Sequence, residues 1–124
     1  MANKRPKNLN LFTIRLPLPA LVSIMHRISG AFLFLLLPLL LWLLQQSLSS
    51  PQRYATAHDV LQTIPARLVY IVLIWAYLHH ALAGMRHLAM DAHWGLNLAF
   101  ARASSKVVLA VSGALTVLMA YLLW

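Results

Sequence analysis

The 124-residue chain contains no cysteine, and only 10% of its residues are charged. Without cysteine, neither disulfides nor cysteine-ligated clusters can form, so any redox centre held by this chain must use histidine. Acidic residues number two against ten lysines and arginines, a net charge of +8. So basic a chain could suggest nucleic acid, but its cations are not interleaved with stacking aromatics; they flank apolar segments. A cleavable leader is not expected either. Pro17, Pro19, His26 and Arg27 interrupt what would be its apolar core, and no Ala-x-Ala site follows.

What is present in excess is apolar surface. Hydrophobic residues make up 61% of the chain, and the mean hydropathy is +0.74. A soluble domain this short could not bury so much, which points to a small all-α integral membrane protein forming a single anchor domain over 1–124. Three transmembrane helices are predicted, at about 21–44, 65–88 and 107–124, each near the ~20 residues that cross the hydrocarbon. Pro38 falls inside the first and is tolerable there as a kink. Pro65 suits the first turn of the second. Residues 45–64 form a polar connection with room for a short surface helix, and 92–105 form the second connection.

Basic residues set the orientation. Lys4, Arg5, Lys7, Arg15 and Arg27 precede or enter the first span, and Arg86, Arg102 and Lys106 flank the second connection. Against these eight stand Arg53 and Arg67 on the other side. The excess predicts that the N-terminus and the 92–105 connection are cytoplasmic and that residues 45–64 and the C-terminus face out.

Two polar clusters then meet at the cytoplasmic face. In the second span, His80, Gly84, His87 and Asp91 fall within a few tens of degrees on a helix, with Arg86 beside them. An Arg or Asp at a helix centre costs ~2.5–3.5 kcal/mol on insertion scales, so such a stripe usually faces a cofactor, a proton path or a partner. His80 lies ~10 Å deeper than His87. Its imidazole could serve as an axial haem ligand, with Gly84 leaving space for a flat macrocycle. Equally, it could hydrogen-bond a neighbouring helix, with Gly84 permitting close packing. His79 points ~100° away and is the weaker candidate. His80 and His87 rise from one side of one helix and cannot clamp both faces of a haem. His26 is placed nearer the surface, so a sixth ligand is expected from another polypeptide.

The first-span cluster is Ser23, His26, Arg27 and Gly30, again on one face. Ser23 and Arg27 could hydrogen-bond a quinone carbonyl, while His26 and Arg27 could neutralise haem propionates. The competing reading has Arg27 reaching lipid phosphate and Ser23 bonding its own backbone. His58 and His93 are expected in solvent. Trp42, Trp75, Tyr77 and Trp124 are expected to pack or to sit at the interface.

These clusters resemble the cytochrome b membrane anchor of bacterial succinate dehydrogenase. One pattern reads Arg5-Pro6, then Ser23-Ile-Met-His26-Arg27-Ile-Ser29-Gly30; the other reads His80-Ala-Leu-Ala-Gly84-Met-Arg86-His87-Leu-Ala-Met-Asp91. The resemblance covers essentially the whole chain and implies a bacterial inner membrane, with the C-terminus periplasmic. It implies that His80 ligates the iron of haem b, shared with a second membrane-anchor subunit that supplies the other histidine. It implies that His26 and Arg27 lie near the propionates and that Ser23 and Arg27 border the site of quinone reduction. Arg86, His87 and Asp91 are then candidates for a proton path or an interface. The implied partners are the second anchor, an iron–sulfur subunit, a flavoprotein and the lipid bilayer. Electrons from succinate would reach quinone, with no bond chemistry in this chain. Two alternatives stay open: the anchor of a quinol:fumarate reductase, and a haem-free scaffold or transporter subunit.

Overall fold

Residues 13–123 are described by a computed structural model with four helices: α1 (Leu18–Ser49), α2 (Pro51–Leu61), α3 (Ile64–Asp91) and α4 (Leu98–Leu123). Among the described residues there is no strand. Lys4, Arg5, Lys7, the Arg5-Pro6 opening and Trp124 lie outside them. α1, α3 and α4 are long and apolar enough to cross a membrane. The protein is an all-α, multi-pass protein of the bacterial inner membrane.

Prolines open three of the four helices. Pro17 caps α1 in an extended conformation, and prolines also occupy the first turns of α2 and α3, where a missing N–H leaves no helical bond unmade. At 1.5 Å per residue the 32 residues of α1 run ~48 Å, past the ~30 Å of hydrocarbon. Pro38 lies within it without ending it. Ser50 then breaks the helix in an extended conformation, and its hydroxyl accepts a hydrogen bond from the backbone N–H of Arg53 at 3.2 Å, capping α2. α2 is thus the short helix expected in the first connection.

The second connection is shorter than the sequence predicts. α4 starts at Leu98, nine residues before the expected Val107, so Arg102, Lys106 and most of 92–105 are helical. Hydropathy marks only the apolar part of a helix; Asn97 marks its start, accepting from the backbone N–H of Phe100 at 2.7 Å. The preceding turn closes α3 by two backbone bonds, His93 N–H to Met90 C=O at 3.0 Å and Trp94 N–H to Ala89 C=O at 2.9 Å. This is a Schellman closure, and its left-handed position is held by His93 at φ 64° where glycine is usual. Gly95 follows at φ 71°, and a Cβ there would run into the Phe100 ring.

The interior is small and partly polar. Ala76, His79, Ala83 and Arg86 are the buried residues of α3, and Ala101, Ser105, Val108, Ser112 and Thr116 those of α4. Short side chains let the backbones approach, the usual basis of helix association in lipid. Ser105 and Thr116 hydroxyls donate to carbonyls four residues back, both at 2.7 Å. Val22 of α1 meets Ala83 and Val108 at the centre, flanked by Leu82 and Leu109. The bulky apolar side chains, among them Ile28, Phe34, Leu35 and Tyr77, face outward, as lipid or partner helices require.

Candidate functional site

Where α1 crosses α3, three predicted site histidines come together. The rings of His26 and His80 stack with centroids 4.2 Å apart and planes within 8°. His87 tilts against His26 at 5.1 Å and 52°. Two glycines allow the approach. A Cβ on Gly30 would lie 2.7 Å from Cε1 of His80, and one on Gly84 would lie 3.4 Å from Nε2 of His26. Each helix therefore offers a notch that receives the other's imidazole. Gly84, expected to leave space for a flat macrocycle or a close helix, receives His26 of α1.

The orientation of His80 is fixed by α1. Its Nδ1 lies 3.1 Å from the carbonyl oxygen of His26 and 3.4 Å from Oγ of Ser29. A carbonyl can only accept, so the proton of a neutral ring resides on Nδ1 and the lone pair on Nε2. Ser29, buried, donates to the same carbonyl at 2.9 Å. Ser29 lies within the first motif but is not among the predicted site residues. Its signal was the i,i+3 spacing from His26, which sets its hydroxyl beside the carbonyl that His80 uses.

The His26–His80 stack departs from the expected difference in depth. His26 lies ~12 Å above the first residue of α1, and His80 ~16 Å from the last residue of α3, heights that side chains easily bridge. Rings stacked face to face at 4.2 Å leave no room for a macrocycle between them. No group of three or more His, Cys, Asp or Glu among the described residues is arranged to hold a metal ion alone.

The other candidates divide by face. Ser23 is half-buried; Arg27 and Asp91 are exposed. Arg86 turns away from the histidines into the α3–α4 seam, where Nε donates to Oγ of Ser104 at 2.9 Å and Nη2 to the Ala101 carbonyl at 3.3 Å. His79, the weaker ligand candidate, is fully buried and stacks on Trp75 at 5.2 Å. Neither of its ring nitrogens has a hydrogen bond of normal geometry, although the Val22 backbone approaches it. His93 is exposed, as expected, but its structural part is the left-handed turn.

Residues 1–119 match the family described as succinate dehydrogenase/fumarate reductase transmembrane subunit. Similar proteins include the succinate dehydrogenase cytochrome b556 subunit of Paracoccus denitrificans, 39% identical over 92% of this chain and 88% of that one. That of Coxiella burnetii is 37% identical over the full length of both. That of Rickettsia felis is 29% identical over 94% and 91%.

Proposed function

The chain belongs to the succinate dehydrogenase/fumarate reductase transmembrane subunits, as a cytochrome b membrane subunit of succinate dehydrogenase, and from that premise we propose that His80 is its haem b ligand and that Ser23 and Arg27 border its quinone site. Membership places it in a membrane complex with a flavoprotein and an iron–sulfur subunit. The observation that carries the ligand assignment is the contact of His80 Nδ1 with the His26 carbonyl. Iron-binding imidazoles characteristically donate their second N–H to such an acceptor, which fixes the tautomer and makes the free nitrogen more basic. A bound haem b supplies one-electron storage at the iron.

This chain's residues act around that function. The Gly30 notch seats the ring, and Ser29 shares the carbonyl that orients it. Because His26 is stacked on His80, it is not free to act as a second haem ligand; that ligand would come from a second membrane subunit. The exposed guanidinium of Arg27 and the neighbouring His26 supply positive charge and N–H donors for the propionates. On the same helix, the Ser23 hydroxyl can donate to a quinone carbonyl, and Arg27 favours negative charge developing there on reduction. Protons for quinone reduction reach this end of the bundle from water at exposed Asp91, with His87 one helical turn inward and 5.1 Å from His26. The basic excess at this end makes it the cytoplasmic side.

Reduced-minus-oxidised spectra of the purified complex test the ligand. His80→Ala should remove the b-type band while His79→Ala keeps it; full absorbance in the first variant, with the subunits assembled, would reject the assignment. For the quinone site, Arg27→Ala and Ser23→Ala should raise the quinone KM while succinate-to-dye activity is preserved. Unchanged quinone kinetics in both would remove that role.

A further inference from the structure

At the end of the bundle opposite the histidines, a groove of ≈ 440 Å³ separates α1 from α2. Trp42 and Leu43 of α1 and Ala57 and Val60 of α2 form its apolar walls, and Gln46 and Arg53 stand at its mouth. Arg53 Nη1 donates to Oε1 of Gln46 at 2.8 Å, which holds the exposed guanidinium over the groove. Gln46 lies twenty residues beyond His26 on α1, ~30 Å along the helix axis. The apolar walls therefore lie at the edge of the hydrocarbon and Arg53 at the level of the headgroups. Trp42, 55% exposed, is a residue type suited to that boundary.

Among the described residues, the charge of Arg53 has no counter-ion. The only acidic residues are Asp59, paired with His58 at 3.6 Å, and Asp91, at the far end of α3. Arg53 is held by a neutral amide. An anion must come from outside, attached to something that also fills an apolar groove open to lipid. A phospholipid presents both parts in one molecule.

We propose that the α1–α2 groove binds an anionic phospholipid, with one acyl chain along Trp42, Leu43, Ala57 and Val60 and its phosphate on Arg53. The bound lipid fastens α2 to α1, and the site is independent of haem and quinone.

The test uses the complete complex, transferred from phosphatidylcholine vesicles containing a minority of phosphatidylglycerol, with retained lipids counted by native mass spectrometry. Arg53→Gln should weaken phosphatidylglycerol retention roughly fivefold, the scale of one cation at a membrane surface, and leave phosphatidylcholine unaffected. Arg53→Lys should keep most of it, and Ala57→Trp, which fills the groove, should abolish it. Quinone reductase activity should be unaltered in Arg53→Gln. Equal phosphatidylglycerol retention by the wild type and Arg53→Gln would overturn the proposal. So would indifference to Ala57→Trp, or a photo-crosslinker at position 42 that captures another subunit in place of lipid.

Discussion

Gly30→Ala offers the sharpest test of the histidine cluster. The added methyl would lie 2.7 Å from Cε1 and 3.2 Å from Nδ1 of His80, the edge of the ring that faces the His26 carbonyl. Reaching ordinary contact needs a retreat of about 0.7 Å, which stretches the 3.1 Å contact with that carbonyl out of hydrogen-bond range. Overpacking costs about 1–3 kcal/mol, and the lost hydrogen bond adds about 0.5–1.5 kcal/mol. Replacing a helical glycine with alanine returns about 0.5–1 kcal/mol. The net loss is on the order of 1–3 kcal/mol, concentrated on the ring proposed to hold iron. Gly84→Ala is the matched control, because its methyl would meet His26 Nε2 at 3.4 Å, close to ordinary contact. The assay is the haem-to-flavin ratio of the purified complex, together with electron paramagnetic resonance of the low-spin iron. Gly30→Ala should lower the ratio and shift the resonance, and Gly84→Ala should leave both near wild type. An unchanged ratio and resonance in Gly30→Ala, or greater damage from Gly84→Ala, would refute the notch argument.

His79→Phe should leave haem content intact and raise the melting temperature of the complex. It removes a buried imidazole whose nitrogens make no hydrogen bond of normal geometry and keeps an aromatic ring against Trp75. His93→Gly should stabilise by about 1 kcal/mol in thermal unfolding, because glycine takes the left-handed turn without strain. Gly95→Ala should destabilise, since its methyl meets the Phe100 ring at a positive φ. Asn97→Ala should cost about 1 kcal/mol by the same measurement, having lost the cap on α4.

Much of the arrangement was legible because lipid punishes polar side chains and so makes each one informative. The stripe of His80, Gly84 and His87 and the face of His26 and Gly30 follow from helical angles, and these are the residues that meet. Rotation of one helix against another is invisible to those angles. They could not tell that Arg86 turns into the α4 seam, that His79 lies inside the bundle, or that His26 reaches His80. Such outcomes depend on how closely the backbones approach, which is set by pairs of glycines far apart in sequence. The early start of α4 escaped for another reason: Arg102, Ser104, Ser105 and Lys106 suppress hydropathy without opposing helix formation.

The tight turn between α3 and α4 bears on how the chain is made. Only six residues, 92–97, join the two helices, and the closure at His93 folds them back on each other. With so little slack, the two helices are suited to enter the bilayer together as one hairpin. Arg86 makes that entry tolerable, because Ser104 and Ala101, both within the hairpin, already hold its guanidinium. α1, set apart by α2, has no such tether and can be inserted on its own. The histidine cluster, built from both α1 and α3, therefore forms only once α1 and the α3–α4 hairpin are both in place.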